Sequence, residues 1–119
     1  MQNEISWVVE ATIQESQYEK LKTLSAEMVS STHEHEPGTI SYEWFVDEAA
    51  TKCYICERYA DSAAAMKHLE TFGLKFAERL GQLVRIKRVT VFGSASEEVM
   101  KALGEEGTVF LLPLTGFTR

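Results

Sequence analysis

Two neighbouring stretches, Thr39-Ile-Ser-Tyr-Glu-Trp-Phe-Val46 and Cys53-Tyr-Ile-Cys-Glu-Arg-Tyr-Ala60, decide the fold of this chain. In the first stretch bulky residues occupy every second position, and the second is rich in aromatic and other residues that favour strands. The segment 47–52 between them is typical of a hairpin connection. The pattern therefore predicts a β-hairpin over residues 39–46 and 53–60.

Upstream of this hairpin, the sequence predicts one strand and one helix. The segment 4–12 alternates apolar and polar residues, which indicates a strand. The segment 14–32 repeats its apolar residues at helical spacing and carries its charged residues on the opposite face. Pro37 disfavours a helical conformation in the residue before it, and Gly38 permits a turn, so this helix is expected to end within residues 33–38.

Downstream of the hairpin, Asp61 is typical of an N-cap for a helix over residues 62–70. A second helical piece follows and is expected to stop at Gly81. Residues 83–92 predict a fourth strand, and its basic residues indicate one partly solvated side. They are Arg85, Lys87 and Arg88.

The C-terminal part is predicted to form a short helix over residues 96–103 and an extended piece over 108–114. Pro113 cannot donate a hydrogen bond to a sheet, so this last piece is expected to be an edge strand or an arm. The run Val109-Phe-Leu-Leu112 is very apolar for a free end. We expect it to lie against a partner subunit or back on the domain.

The predicted order β-α-β-β-α-β, followed by a helix and a strand or arm, indicates an α+β fold. It is the ferredoxin-like arrangement, an antiparallel sheet with helices on one face. Apolar residues such as Val8, Phe45 and Ile55, or their neighbours of opposite parity, leave an apolar surface on the other face. A homodimer packed sheet against sheet would cover that surface. The expected division is a domain over residues 4–93 and an extension over 94–119 that packs at the dimer interface.

Composition and charge exclude several classes of function. The chain has 119 residues, the size of one domain, and its formal net charge of -6 opposes nucleic acid and anionic membranes as partners. No run approaches the ~18 apolar residues of a membrane span. Glu4 stands where a signal peptide carries positive charge, and the two cysteines form no disulfide framework, so we expect a reduced, cytoplasmic protein.

Two short motifs resemble reactive or metal sites in their letters alone. Cys53 and Cys56 match C-x-x-C, but residues three apart in a strand point to opposite faces, which predicts two ordinary reduced cysteines. His33 and His35 diverge on a helix and could converge only in an extended loop, and no further ligand follows at a recognisable spacing, so no metal site is predicted. A protonated histidine there suits the C-terminal end of a helix.

The segment Glu36-Pro-Gly-Thr-Ile-Ser-Tyr-Glu-Trp44 and the segment Cys56-Glu-Arg-Tyr-Ala-Asp-Ser-Ala-Ala-Ala-Met-Lys-His-Leu-Glu-Thr71 resemble the antibiotic biosynthesis monooxygenase family. In that family an E-P-G turn opens the second strand, and an acid-x-aromatic pair in the third strand leads into a helix with an alanine and a histidine. The corresponding residues in this chain are Glu36, Pro37, Gly38, Glu57, Tyr59, Asp61, Ala65 and His68.

The resemblance covers residues 4–93 and implies a dimeric α+β barrel. Several family members are similar to quinol or anthrone oxygenases that use O2 without a flavin, haem or metal. The haem-degrading branch needs an asparagine in the first strand and a histidine late in the second helical region. This sequence has Val9 and Glu78 at those places, so haem degradation is not expected.

His68 is the residue expected to carry chemistry. On a helix begun at Ser62 it shares a face with Ala64, Ala65 and Phe72. A neutral histidine can take a phenolic proton near pH 7, and a phenolate gives up an electron to O2 more readily than a phenol does. The alternative is a partly buried helix histidine bonded to a backbone carbonyl.

Six aromatic residues are expected to line a pocket for a flat ligand, although the same spacing also fits simple core packing. They are Trp7, Tyr42, Trp44, Tyr59, Phe72 and Phe76. Glu57 and Arg58 lie on opposite faces of a strand, and the inward one needs a partner because an unpaired buried charge is costly. Arg85 or Arg88 is a candidate partner for Glu57; a solvated or interface pair is the plainer interpretation.

Together these features predict a cofactor-independent monooxygenase that oxidises a quinol or another electron-rich aromatic small molecule with O2. No cofactor and no metal are expected, and the assembly is expected to be a homodimer. One alternative is a dimeric small-molecule-binding protein without catalysis. Another is an isomerase or small-aldehyde-processing relative of the same fold, because a fold does not fix a function.

Overall fold

The computed structural model describes residues 3–105 and 107–119, and within them the chain forms five strands and four helices. They are β1 (Ile5–Ile13), α1 (Tyr18–His35), β2 (Thr39–Val46), β3 (Lys52–Tyr59), α2 (Ser62–Lys75), α3 (Ala77–Gly81), β4 (Val84–Phe92), α4 (Glu97–Leu103) and β5 (Thr108–Leu111). The predicted α+β class and the ferredoxin-like order of elements are confirmed.

The strands form one open sheet in the order β2-β3-β1-β4-β5. The pairs among the first four strands are antiparallel, as predicted. The pair of β4 with β5 is parallel, so the sheet is mixed rather than antiparallel throughout. The reason is that α4 carries the chain from the end of β4 back to its beginning, which is the usual route to a parallel neighbour. The last strand lies at an edge, as Pro113 predicts.

The predicted boundaries differ from the structure where local turns intervene. Helix α1 begins at Tyr18 rather than residue 14, because a turn with Ser16 at a φ of 64° separates it from β1. Helix α2 starts behind Asp61, whose carboxylate accepts a hydrogen bond of 2.8 Å from the Ala64 amide, and it extends past residue 70 to Lys75. Strand β5 ends at Leu111, two residues before Pro113.

One face of the sheet packs against the helices and forms the core. Every second residue of β1 is buried on this face, as the alternation predicts. Strand β3 follows the same rule at Cys53, Ile55, Glu57 and Tyr59. Cys56 therefore lies on the opposite face from Cys53, and both thiols are free.

The opposite face of the sheet is not covered by any helix of the described residues. Phe45 is 53%, Tyr54 43% and Phe92 41% exposed there. Val8 and Phe45 belong to this open face, whereas Ile55 points to the helices. Of the apolar run 109–112, residues 109–111 lie back on the domain in β5, which confirms one of the two expectations, whereas Leu112 is 77% and Leu114 96% exposed. In the described part of the chain, no helix has the length and apolar character that a membrane span requires.

A close contact joins helix α2 to the turn before β2. A Cβ atom built on Gly38 would lie 2.6 Å from the Cβ of Ala64, a distance that side chains do not tolerate. The missing side chain thus lets the first turn of α2 pack directly on the segment that follows Glu36. This contact brings α2 and the end of α1 together.

We expect Gly38→Ala to lower the free energy of unfolding by about 1–3 kcal/mol, because the added methyl group overpacks the contact with Ala64. Urea denaturation measures the change. Gly73→Ala is the control, since a Cβ atom there meets nothing within 4 Å and the site lies within α2. It should raise the free energy of unfolding by about 0.5–1 kcal/mol. Equal effects of the two substitutions would contradict the packing argument.

Candidate functional site

His68 lies buried between two carboxylates. His68 is 5% exposed, and Glu36 and Glu57 are 4% and 7% exposed. The Nδ1 atom lies 2.8 Å from Oε1 of Glu36, and the Nε2 atom lies 3.3 Å from Oε1 of Glu57. Both ring nitrogens therefore face a carboxylate oxygen.

Three elements deliver these side chains to one place. Glu36 is the C-cap of α1, and its backbone N–H donates to the Thr32 carbonyl at 2.9 Å. Glu57 faces the helices because of its parity in β3. His68 lies two turns into α2, on the buried side with Ala65. The end of a helix, a strand and a second helix thus converge.

Two tyrosines complete the surroundings of the imidazole. The Tyr59 hydroxyl donates a hydrogen bond to Oε1 of Glu57. The rings of Tyr42 and Tyr59 lie 5.0 Å and 5.4 Å from that of His68. Burial, reinforced by the negative charge of Glu57, raises the pKa of both tyrosines well above their ordinary value, so both hydroxyls stay protonated.

The protonation of His68 reflects two opposed effects. Burial by itself would lower the pKa of His68, because it disfavours the charged form. The hydrogen bonds and charges of Glu57 and Glu36 outweigh burial, and the net pKa is raised above its ordinary value. The two carboxylates thus make the imidazole a stronger base than a free histidine.

An apolar cavity of about 100 Å³ borders this group. Three of the predicted aromatic residues line it together with His68 and Glu57, namely Trp7, Tyr42 and Phe72. Tyr59 is fully buried behind them, with its ring 4.6 Å from that of Trp7. The cavity therefore joins an acid–base group to aromatic walls, a combination typical of small-molecule sites.

The other two predicted aromatic residues lie outside this cavity. Phe76 is buried in the core beside Leu24 and Leu80. Trp44 packs partly buried between α1 and the sheet, and its Nε1 atom has no acceptor in hydrogen-bond geometry among the described residues. The N–H still lies near enough to the Tyr42 hydroxyl to offset part of the rise in the pKa of that tyrosine.

The carboxylate partners of His68 were missed by sequence reasoning. The prediction that Arg85 or Arg88 pairs with Glu57 is wrong, because Arg88 and Arg85 align with Glu10 and Thr12 on the open face of the sheet. The interpretation of Glu57 as a solvated or interface residue is also wrong, and Arg58 pairs with Glu4 at 2.8 Å instead. The parity of Glu57 with Ile55 and Tyr59 was the signal that it points inward.

In residues 3–105 and 107–119, no group of three or more His, Cys, Asp or Glu side chains has an arrangement that could hold a metal ion. His33 and His35 lie in the exposed last turn of α1, and the His35 Nδ1 atom is 3.1 Å from the Ser31 carbonyl oxygen. The two exposed histidines are thus separate from the candidate site, whose acid–base groups are Glu36, Glu57 and His68.

Comparisons with known proteins agree with this architecture. A family model described as antibiotic biosynthesis monooxygenase matches residues 5–74. No curated protein sequence matches the chain. The solved structure of MupZ from Pseudomonas fluorescens is similar over 98% of this chain and 95% of that chain, with 23% identity and a TM-score of 0.85.

Two further solved structures cover less of the chain. SnoaB from Streptomyces nogalater, described as a cofactor-independent oxygenase, covers 79% of this chain and 95% of its own, with 16% identity and a TM-score of 0.66. Rv0793 from Mycobacterium tuberculosis covers 79% of this chain and 97% of its own, with 21% identity and a TM-score of 0.64. At these identities the likeness concerns the fold.

The raised pKa of His68 means that its protonation stabilises the folded protein. This stabilisation is complete below about pH 6.5, the ordinary value, and is lost as the pH rises through the raised pKa of the folded state. We expect the difference in free energy of unfolding between the wild type and His68→Gln to shrink as the pH rises above about 6.5. Urea denaturation over a pH series measures it.

NMR titration of the imidazole tests directly whether the carboxylates raise the pKa of His68. Glu36→Gln should lower the pKa of His68, because one of the two acceptors loses its charge. Glu34→Gln, at an exposed position nearby, should leave it unchanged. An unaltered His68 pKa in Glu36→Gln would rule out the carboxylate as the cause.

Proposed function

The chain belongs to the antibiotic biosynthesis monooxygenase family, and on this basis we propose that it is a cofactor-independent monooxygenase that oxidises a quinol or another electron-rich aromatic with O2. One observation carries the proposal. The imidazole of His68 lies between Glu36 and Glu57 in the wall of an apolar, aromatic-lined cavity. A strengthened base beside an apolar cavity suits the removal of a phenolic proton.

In the proposed reaction, Glu36 accepts a hydrogen bond from Nδ1–H of His68 and fixes the tautomer of the ring. The Nε2 atom then takes the proton of the substrate, and Glu57 stabilises the imidazolium that forms. His68 is thus the catalytic base, while Glu36 is a positioning residue. The flat side chains of Trp7, Tyr42 and Phe72 line the cavity that the reacting edge of the substrate faces.

The electrons of the reaction come from the substrate itself. The phenolate transfers one electron to O2, and the resulting radical and superoxide combine to form a carbon–oxygen bond. Cleavage of the O–O bond leaves one oxygen atom in the product and releases the other as water. A quinol and O2 thus give a hydroxyquinone and water, so that no external reductant is needed.

A dimeric small-molecule-binding protein without catalysis is the second candidate function. The apolar lining of the cavity and of its surroundings favours it, because apolar cavities bind apolar molecules whether or not a reaction follows. Binding without chemistry would raise the melting temperature in the presence of a small aromatic without any consumption of O2.

We expect purified, metal-free protein to consume O2 with a one-ring or two-ring quinol, measured with an oxygen electrode. His68→Ala should lower the rate at least about 100-fold, the lower range for loss of a general base. His33→Ala, which changes an exposed histidine, should retain the rate. The rate of the wild type should rise with pH through the pKa of His68, and Glu36→Gln should shift that profile to lower pH. Full turnover by His68→Ala would disprove the assigned role.

A second copy of this chain is the proposed partner, packed on the open face of the sheet. Phe45, Tyr54 and Phe92 expose apolar area there, and the extension contributes Val109 and Leu111 to the same face. The face also carries charges of both signs, which are Glu10, Glu43, Arg58, Arg85 and Arg88. A two-fold axis can pair such a mixed surface with itself.

We expect the wild type to sediment at twice the mass of the chain, and Phe45→Glu to dissociate the dimer, because it buries a charge in the interface. Analytical ultracentrifugation measures both. Leu74→Glu is the matched control, since Leu74 is 81% exposed on α2, away from the open face of the sheet. A monomeric wild type, or a dimer that survives Phe45→Glu, would contradict this interface.

A further inference from the structure

An outer cleft of about 430 Å³ adjoins the cavity beside His68. It lies between α2, β4, the end of α4 and the described residues that follow it, 105 and 107–108. Five residues line both the cleft and the cavity, which are Leu69, Phe72, Ile86, Val89 and Leu103. The two spaces are therefore neighbours that share one apolar wall.

The volumes of the two spaces indicate which part of a ligand each of them can hold. The inner cavity of about 100 Å³ is too small for an aromatic ring, although small apolar cavities can hold small apolar molecules. The outer cleft of about 430 Å³ lies within the ~300–1,000 Å³ range of ligand pockets. A ring-bearing molecule therefore has room in the cleft, with only its edge and O2 at the inner cavity.

The outer side of the cleft is built by residues that follow the matched family segment 5–74. Helix α4 is anchored to the core by Val99, which is 0% exposed. Its N-cap Ser96 donates its backbone N–H to the Ser62 hydroxyl at 3.0 Å, which ties α4 to the start of α2. At the other end Thr108 pairs with Val89 of β4. The wall is thus fixed at both ends.

We propose that this extension, through Leu103, forms a wall of the substrate site and selects an apolar aromatic substrate larger than one ring; the inference rests on the proposed function. Among the described residues of the extension, Leu103 is the one that lines both spaces. The rim carries Lys87 but also Glu105, so shape and apolar area, rather than one sign of charge, select the ligand.

Isothermal titration calorimetry with 2-naphthol and phenol tests the inference without any turnover. The wild type should bind 2-naphthol, with two fused rings, at least 10-fold more tightly than phenol. Leu103→Trp should weaken the binding of 2-naphthol at least 10-fold, because the larger side chain fills the shared wall. Ala102→Trp gives a second variant at an exposed position of the cleft, where folding is not at risk, and should weaken it in the same way.

Met100→Trp is the matched control, since Met100 lies on the same helix, is 44% exposed and lines neither space. It should bind 2-naphthol as the wild type does. Wild-type affinity in both Leu103→Trp and Ala102→Trp, or a wild type that binds neither probe, would overturn the role of the extension. The predicted binding pattern in a protein that consumes no O2 would contradict the monooxygenase reaction and support the extension as the wall.

Discussion

The arrangement of acid, imidazole and acid at Glu36, His68 and Glu57 is the constraint on which the rest of the structure depends. Each carboxylate is more than nine-tenths buried, and a buried charge is tolerated only when it is paired and hydrogen-bonded. The three residues come from the end of α1, from β3 and from α2. The cluster therefore requires that all three elements hold their relative positions, and the close approach of Gly38 to Ala64 makes this possible.

Such a cluster contributes little to net stability. Removing two carboxylates from water costs several kcal/mol per ion, and apolar residues of similar volume are often as good for folding. The stability of this chain comes instead from two apolar clusters, one beside Leu24, Phe76 and Leu80 and the other beside Trp7 and Val91. A costly ionic group set between them, at the wall of a cavity, is better explained by a chemical role than by folding.

Sequence reasoning predicted the strands and the buried face of β1 because alternation of apolar residues directly reflects burial. It placed His68 on the inner side of α2 because Asp61 fixes where that helix starts. It missed the two carboxylate partners because they depend on contacts between residues far apart in the chain, 32 positions in the case of Glu36. The parallel pairing of β5 was missed for a related reason, since strand direction follows from the path of the connection and not from the residues of the strand.

An excess of negative charge around His68 suits the proposed chemistry. Before proton transfer, a neutral imidazole lies between two carboxylates, which makes it a strong proton acceptor. After transfer, the cluster keeps one net negative charge beside the new phenolate. Coulomb repulsion in a poorly solvated site raises the energy of the phenolate, and its loss of an electron to O2 relieves that repulsion. Neutral O2 is not repelled, so the same charges that strengthen the base also favour the electron transfer that follows.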